Sequence, residues 1–348
     1  MEEIMKALVK VRHILMLVVS SWVLLLSNSS FAQPTEASEV SLARQFGDSY
    51  LPMMIMEQQN LIEKHARMSG LGAIKVSWKA VSGGAAANDA LLSGQLDYVS
   101  GGVGPLLQIW GATGGRVKGV AALNTMPLLL NTNNPKVKTI RDLTDADKIA
   151  VPAVRVSMQA VVLRMAAAKE YGEKEFDRLD RYTVSMGQGD ATAALLSGSG
   201  GITAHFGNSP FQFRQLEDKK IHTLLNSYDV LGGPSTFGVI WTTAKFRESN
   251  PKLYKSVLGA LQEAVDIINS DKRAAATRYL EISRSKEPVE FMQSIFMNPQ
   301  VTYNLTPLNT LKLGQFMFKV QQIKRQCNCF SVKVRRRFHW DDEISLSS

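Results

Sequence analysis

One stretch of sequence occurs twice in this chain in two similar versions, and this internal echo constrains the fold more than any other feature. The first version, Val81–Pro105, reads VSGGAAANDALLSGQLDYVSGGVGP, and the second, Val184–Pro210, reads VSMGQGDATAALLSGSGGITAHFGNSP. The block ALLSG recurs at Ala90–Gly94 and Ala194–Gly198, a spacing far longer than the roughly 20–50 residues of solenoid repeats. The echo therefore predicts two similarly built α/β lobes with a ligand cleft between them.

Strand-like and helix-like segments alternate along the chain, which predicts an α/β fold with a doubly wound, mostly parallel sheet in each lobe. We expect residues 38–126 and 235–320 to form the first lobe, with residues 127–234 inserted as the second lobe. Two chain crossings would then join the lobes, which predicts a hinge. Ligands of such sheets bind at the carboxyl ends of the strands, so the candidate site residues are sought there.

The first 32 residues have the pattern of a cleavable signal peptide. A basic segment precedes the apolar run Ile14–Leu26, which is too short to span a bilayer comfortably. Ser30-Phe31-Ala32 has the small-x-small pattern of a cleavage site before Gln33. An uncleaved membrane anchor is the alternative, and the polar residues that follow directly argue against it. We therefore expect an exported protein that is cleaved near Ala32-Gln33.

The formal net charge of +9 does not by itself predict nucleic-acid binding. From Lys319 onward the chain holds seven basic residues against three acidic ones, which accounts for four of the net charges. The remaining surplus fits a chain that attracts small anions. Both cysteines, Cys327 and Cys329, lie in this same segment. A pair separated by one residue predicts neither a metal site nor an unstrained disulfide.

Five stretches between about Val40 and Val320 resemble the periplasmic solute-binding proteins of ABC importers, in the aliphatic sulfonate, taurine and nitrate group with the type II fold. They are ALLSGQLDYVSGGVGPLLQIW at Ala90–Trp110, NTMPLLLNTNNPKVKTIRDL at Asn124–Leu143, KIAVPAVRVSMQAVVLRMAA at Lys148–Ala167, ALLSGSGGITAHF at Ala194–Phe206 and NPKLYKSVLGALQEAVDIIN at Asn250–Asn269. The resemblance implies a periplasmic, monomeric, two-lobed protein. Such a protein captures a small anionic ligand and hands it to a membrane permease, without a cofactor and without catalysis.

The end of the chain departs from this pattern. After Val320 the sequence QQIKRQCNCFSVKVRRRFHWDDEISLSS loses helical periodicity and carries a triple arginine. We hypothesise that residues 321–348 are an atypical basic tail produced by a shift of reading frame near Gln321. A real, divergent tail is the alternative, and translation of the other two frames from that codon distinguishes the two.

Candidate ligand residues in the first lobe follow strands, where helix N-termini offer unpaired N–H groups and partial positive charge to an oxyanion. A plain tight turn into a helix is the alternative for the first three of them. An aspartate in the loop after the first strand would repel an anion, but it could hold an amine or cap a helix. The candidates are Ser82, Gly83, Gly84, Asn88, Gly101, Gly102 and Val103, together with Asp48 and Tyr50 in the first loop.

Candidates in the second lobe are Ser157 and Gln159, where a helix begins, and His205 and Phe206, which follow a short strand. Ser157 fits a helix N-cap, a role that does not exclude ligand contact. A lone histidine is as well explained by a structural role as by ligand contact. In the second copy of the echo, His205 and Phe206 stand where the first copy has Ser100 and Gly101.

Other classes of protein find little support in the sequence. It contains no Gly-x-Ser-x-Gly elbow, His-Glu-x-x-His motif or complete P-loop, which disfavours a secreted hydrolase. His65, His205 and His222 are too dispersed to predict a metal site. A ligand-sensing transcription regulator is opposed by the signal peptide. We expect an alkanesulfonate or taurine-like ligand, with nitrate and a heteroaromatic or pyrimidine nutrient left open.

Overall fold

The computed structural model describes residues 36–325 together with Met1, Glu2 and Met5. Most of the predicted signal peptide, its cleavage site, and the predicted tail from residue 326 onward lie outside the described residues. The described residues from Ala37 to Arg325 belong to one compact unit. Within the described part of the chain, no helix combines the length and apolar character needed to cross a membrane.

Strands and helices of residues 36–325 are numbered here in chain order. The strands are β1 (Glu39–Arg44), β2 (Lys75–Ala80), β3 (Tyr98–Gly102), β4 (Val117–Ala122), β5 (Leu129–Thr132), β6 (Ile149–Val151), β7 (Thr183–Ser185), β8 (Ala204–Phe206), β9 (His222–Asn226) and β10 (Gly238–Thr243). The α-helices are α1 (Leu51–Gln58), α2 (Leu61–Met68), α3 (Gly84–Leu92), α4 (Val103–Ala112), α5 (Met158–Tyr171), α6 (Gln188–Ser197), α7 (Phe211–Gln215), α8 (Ser227–Leu231), α9 (Ala244–Ser249), α10 (Pro251–Ser270), α11 (Lys272–Ser283), α12 (Val289–Met297) and α13 (Leu311–Lys319).

The strands form two five-stranded sheets with the same topology. The order is β2-β1-β3-β10-β4 in the first sheet and β7-β6-β8-β5-β9 in the second. In the first sheet β1 runs parallel to β2 and β3, and β10 runs antiparallel to β3 and β4. In the second sheet β6 runs parallel to β7 and β8, and β5 runs antiparallel to β8 and β9. The predicted fold class is confirmed, with one antiparallel strand in each mostly parallel sheet.

The two ALLSG blocks occupy equivalent places in the two sheets. The first ends α3, which follows β2, and the second ends α6, which follows β7. Gly94 and Gly198 both adopt positive φ, 73° and 67°, a conformation that glycine reaches without steric penalty and that stops a helix. The echo in the sequence thus corresponds to the same helix and the same helix stop in each half of the fold.

Two segments carry the chain between the sheets. The first sheet is drawn from residues 39–122 and 238–243, and the second from residues 129–226. The connecting segments are residues 123–128 and 227–237, which contact each other and residues 302–308 through backbone bonds such as Thr125 N–H to the Thr302 carbonyl, 2.8 Å. The residue boundaries of the lobes stay a prediction.

Two predicted helices differ from the observed ones. The sequence pattern predicts a single helix over Leu51–His65, but the segment forms α1 and α2 with a break at Asn60, whose φ is 50°. The sequence pattern predicts a helix over Thr306–Val320, but α13 begins only at Leu311, after Asn309 with a φ of 54°. In both cases an asparagine takes the left-handed conformation that its short polar side chain tolerates.

Residues 311–325, called here the C-terminal segment, pack against both halves of the fold. Ile323 is buried, and a Cβ placed on Gly111 of α4 would lie 3.2 Å from its Cβ. Gln322 Nε2 donates to the carbonyl of Arg155 at 2.6 Å, in the loop after β6. The rings of Phe316 and Phe176 meet edge to face with centroids 6.4 Å apart. The C-terminal segment is therefore a further link between the two halves.

Candidate ligand-binding cleft

Loops at the carboxyl ends of the two sheets meet at two places, the first of which is called here the apolar contact. A Cβ added to Gly102 would lie 2.9 Å from the Cβ of Met158, and one on Gly104 would lie 3.4 Å from the backbone nitrogen of Met158 and 3.4 Å from the carbonyl oxygen of Val156. Only glycine lets the backbones approach so closely here. Because α4 begins at Val103 and α5 at Met158, the N-termini of two helices meet at this contact.

The second place, called here the polar contact, joins the loop after β1 to the loop after β8. The Ser209 hydroxyl donates to Asp48 Oδ2 at 2.7 Å. Asn208 Nδ2 lies 3.3 Å from Ser49 Oγ. Gly47 has a φ of 104°, and a Cβ there would lie 2.9 Å from the Ser209 carbonyl oxygen. A polar cluster thus links the two halves of the fold.

The two contacts are equivalent in topology. In each, residues at the end of the middle strand of one sheet (β3 or β8) touch the segment after the strand that lies second in the other sheet (β6 or β1). The two copies of the repeated sequence show the same equivalence. Gly102-Val103-Gly104-Pro105 of the first copy, at the apolar contact, aligns with Gly207-Asn208-Ser209-Pro210 of the second copy, at the polar contact. Sequence reasoning missed Asn208 and Ser209. The replacement of Val-Gly by Asn-Ser between the copies is the signal that could have found them.

Asp48 is the most unusual residue of the polar contact. Its side chain is fully buried, and this burial raises the pKa of the carboxyl to about 7, against the lowering effect of the Ser209 hydroxyl and of backbone hydrogen bonds. The Tyr303 hydroxyl donates to the Asp48 carbonyl at 3.1 Å. Asp48 Oδ1 has no hydrogen-bond partner among the described residues. Asp48 is thus a buried carboxyl with one oxygen that lacks a partner among the described residues, and its contact with a ligand stays a prediction.

Two further buried polar atoms near Asp48 have no hydrogen-bond partner within the described part of the chain, namely Asn208 Oδ1 and Gln188 Nε2. They belong to one cluster, because the backbone N–H of Asn208 donates to Gln188 Oε1 at 3.3 Å. Asn208 Nδ2 also donates to the Ser209 carbonyl at 3.2 Å. A carbonyl only accepts, so this bond orients the amide and leaves Oδ1 as the free atom.

The candidates after β2 lie beside α4. Ser82 is exposed, whereas Gly83 is buried, although a Cβ added to Gly83 would meet no atom within 4 Å. Gly84 packs on the Pro105 ring, since a Cβ there would lie 2.5 Å from its Cγ. Both polar atoms of the Asn88 side chain already have hydrogen-bond partners. Nδ2 donates to the Pro105 carbonyl at 3.0 Å, and Oδ1 accepts from the Trp241 indole at 3.1 Å.

The predicted loop Gly101–Val103 does not exist as a loop. Gly101 and Gly102 lie in β3 and pair with β10, and α4 begins directly at Val103. The Val103 N–H donates to the Phe237 carbonyl at 3.2 Å. A Cβ on Gly101 would lie 2.8 Å from the Trp241 indole, which gives this glycine a packing role. Tyr50 is buried edge to face against Phe237, with centroids 6.4 Å apart, and its burial raises the pKa of its hydroxyl.

The candidates at the start of α5 belong to the apolar contact. Ser157 is the predicted N-cap: its hydroxyl accepts from the Ala160 N–H at 3.3 Å and donates to the Ala153 carbonyl at 2.8 Å. Gln159 is buried one residue beyond Met158. Their position next to Gly102 and Gly104 keeps them candidates for ligand contact, which stays a prediction.

His205 and Phe206 are fully buried in β8. His205 Nδ1 lies 2.5 Å from Nε2 of Gln215 in α7, which also donates to Thr192 of α6. Burial lowers the pKa of the imidazole to about 3, so the ring is neutral. Nδ1 thus bonds to a helix that covers the sheet, whereas Nε2 is buried and has no hydrogen-bond partner among the described residues. The prediction that it contacts a ligand gains no support from this placement.

Metal chemistry finds no basis in the part of the chain that the structure describes, where no group of three or more His, Cys, Asp or Glu side chains could hold an ion. What the two halves present to each other is a pair of helix N-termini at one contact and a buried polar cluster at the other. Two equivalent sheets that meet through the loops at their carboxyl ends define the class of the periplasmic binding proteins.

Solved structures of that class superpose on this chain. The alkanesulfonate-binding protein SsuA from Xanthomonas axonopodis pv. citri, bound to MOPS, matches with a TM-score of 0.64 and 18% identity over 82% of this chain and 94% of that chain. The aliphatic sulphonate binding protein SsuA from Escherichia coli matches with 0.61 and 18% over 83% and 94%. The nitrate-binding protein NrtA from Synechocystis PCC 6803 matches with 0.58 and 16% over 77% and 74%. These likenesses establish the fold.

The profile of the NMT1-like family matches residues 33–282 of this chain. The match spans well over half of the sequence, and the chain belongs to the NMT1-like family. A comparison with curated proteins found no match. The resemblance drawn from the five sequence stretches to periplasmic solute-binding proteins is confirmed.

Proposed function

We propose that this protein is an exported, periplasmic solute-binding protein of an ABC importer. It captures a small oxyanion, best an alkanesulfonate or taurine, between two lobes formed by residues 38–126 with 235–320 and by residues 127–234. It then delivers the ligand to a membrane permease without chemical change. The family and the likeness to structures whose names specify sulfonate and nitrate binding support this function.

The observation that carries the proposal is the apolar contact. There the N-termini of α4 and α5 come together from opposite halves, with Gly104 and Met158 close enough for backbone contact. Helix N-termini carry unpaired N–H groups and a partial positive charge, which favour an anion. Two such termini face each other without a negative side chain among the residues of the contact (Gly102, Gly104, Val156 and Met158). The Val103 and Ala160 N–H groups already have partners, so an oxyanion would be held by the partial positive charge of both termini and by their remaining N–H groups.

The free energies of binding indicate that both lobes together must hold the ligand. One helix terminus contributes roughly 0.3–1 kcal/mol to a surface anion, and about 2 kcal/mol when partly buried. A micromolar ligand needs about 8 kcal/mol. Several donors from both halves and closure around the ligand are therefore required. Ser82 and Gly83 at the start of α3 and Gln159 at α5 are the further donors that we propose, and Ser157 would join them by exchanging its bond to the Ala153 carbonyl.

Thermal unfolding of the mature protein tests this function. Ethanesulfonate, taurine and nitrate are added separately, with chloride at equal ionic strength as the control. A ligand that binds only the folded state stabilises it by about 2.7 kcal/mol at one hundred times its Kd, so we expect at least one anion to raise Tm well above the chloride control. No stabilisation by any small anion, together with steady hydrolysis of an ester or amide, would overturn the proposal.

Nitrate is the second candidate ligand. The observation that favours it is the superposition on the nitrate-binding protein NrtA. The same thermal screen separates the candidates, because a nitrate binder is stabilised by nitrate and not by ethanesulfonate. A pyrimidine added to the screen covers the heteroaromatic alternative.

A further inference from the structure

We propose that the ligand carries an N–H donor group and that Asp48 and Asn208, at the polar contact, accept it. The inference rests on the proposed function and specifies the ligand further. It assigns the two topologically equivalent contacts to the two ends of one ligand. The oxyanion lies at the apolar contact, and an ammonium or other N–H group lies at the polar contact.

The first argument is the concentration of unpartnered atoms. Asp48 Oδ1, Asn208 Oδ1 and Gln188 Nε2 are all buried and have no hydrogen-bond partner among the described residues. More than nine in ten buried polar groups in folded proteins bond to another protein group or to ordered water. Three such atoms, linked through consecutive hydrogen bonds from Asp48 through Ser209 and Asn208 to Gln188, mark this cluster as a place where a polar ligand group can make several hydrogen bonds at once.

The second argument is the chemistry of the free atoms. Asp48 and Asn208 each offer an oxygen, and an oxygen accepts hydrogen bonds only from a donor. A neighbouring anion raises the pKa of a carboxyl and a neighbouring cation lowers it, so an ammonium is the charged group beside which Asp48 can lose its proton and stay buried. An ammonium group has three donors and no acceptor, and it would also compensate the charge of a buried carboxylate. The donor Gln188 Nε2 remains for an oxygen on the same ligand.

The third argument is the contrast between the two contacts. The apolar contact brings together Gly102, Gly104, Val156 and Met158 without an ionisable side chain. The polar contact contains a carboxyl that is fully buried and that also faces the Tyr303 hydroxyl. Places related by the same topology therefore differ in chemical character. A ligand that spans them has unlike ends, as an amino sulfonate does.

In this structure the Ser209 hydroxyl donates a hydrogen bond to one of the two Asp48 carboxyl oxygens. Opening of the cleft would break this bond and the contact of Asn208 with Ser49. The carboxyl would then be open to an entering N–H group. Closure around the ligand would bury Asp48 again, now with a partner on both oxygens.

Isothermal titration calorimetry with taurine and with ethanesulfonate tests the inference, since the two probes differ by one amino group. We expect the wild-type protein to bind taurine at least tenfold more tightly than ethanesulfonate. Asp48→Asn should abolish this preference and leave the Kd for ethanesulfonate within about threefold, because the amide places a donor or a neutral oxygen where the carboxylate was.

A matched control is Asp89→Asn, which removes a carboxylate from the exposed face of α3 and should leave both affinities unchanged. If Asp48→Asn does not fold, Asn208→Ala provides a second variant, which should reduce the preference for taurine severalfold. Equal affinities of the wild-type protein for both sulfonates, or a preference that survives in both variants, contradicts the inference and leaves the proposed function intact. Failure of every small anion to bind contradicts the proposed function itself.

Discussion

Two buried titratable residues, Asp48 and His205, affect stability in opposite directions as the pH changes. Burial raises the pKa of Asp48 from 3.8 to about 7, so the folded protein holds a proton that the unfolded chain releases. Its contribution is fully present below pH 3.8 and is lost as the pH rises through 7. Burial lowers the pKa of His205 from 6.5 to about 3. The stability contributed by its neutral form is lost as the pH falls below 6.5.

The variant Asp48→Asn separates the pH-dependent stability contribution of Asp48 from that of His205. We expect the wild-type protein to lose about 3 kcal/mol relative to this variant between pH 5 and pH 8, since each pKa unit corresponds to about 1.4 kcal/mol. The His205 contribution is common to both proteins and cancels. Urea unfolding at the two pH values measures the difference. Asp89→Asn should show the same pH dependence of the free energy of unfolding as the wild type. If Asp48→Asn and the wild type lose the same stability between the two pH values, Asp48 is not buried as described.

At the scale of elements, Asn88 joins three pieces of the first half. It lies on α3, donates to the Pro105 carbonyl of α4 and accepts from the Trp241 indole of β10. Trp241 is fully buried, so its N–H has no access to water. Since β10 returns to the first sheet after the whole second half has been formed, this side chain fixes a late strand to early helices.

Asn88→Ala should therefore lower the free energy of unfolding by about 2–4 kcal/mol, because it leaves a buried indole N–H and a buried carbonyl without a partner. Chemical denaturation with urea provides the measurement. The neighbouring exposed residue Asp89 supplies the comparison, since Asp89→Ala is expected to change the stability by no more than about 0.5 kcal/mol. A loss for Asn88→Ala as small as that of Asp89→Ala would refute this role.

Much of the element order was predictable, because it depends on local patterns. The helices Met158–Tyr171 and Val289–Met297 have the predicted bounds, and Ser157 caps the first of them through its side chain. The antiparallel course of β10 was not predictable, since it depends on pairing with β3 across more than a hundred residues. The polar contact has the same origin: Asp48 and Ser209 lie 161 positions apart, and no local pattern relates them.

At the scale of the whole molecule, the two halves can approach only because glycine occupies the apolar contact. Gly104→Leu would place a side chain against the backbone of Met158 and Val156. We expect the leucine side chain to keep the two halves apart. X-ray scattering should then give a larger radius of gyration, and anion binding should be lost. Circular dichroism should stay unchanged, because leucine at this position suits the helix.

Gly189→Leu serves as the control for Gly104→Leu. Gly189 lies in the first turn of α6, and a Cβ there would meet no atom within 4 Å. This variant should keep the wild-type radius of gyration and affinity. A Gly104→Leu protein that binds anions as the wild type does would mean that the close approach at the apolar contact is not needed for binding.

The C-terminal segment has a consequence for the speed of ligand exchange. Gln322 donates a hydrogen bond to the Arg155 carbonyl, which follows β6 of the second sheet. Ile323 packs on Gly111 of α4, which follows β3 of the first sheet. Any separation of the halves must stretch or release these contacts, in addition to those at the cleft. The segment therefore adds to the activation barrier for opening. Dissociation of the ligand would be slowed more than its affinity is raised, and a long residence time on the protein would follow.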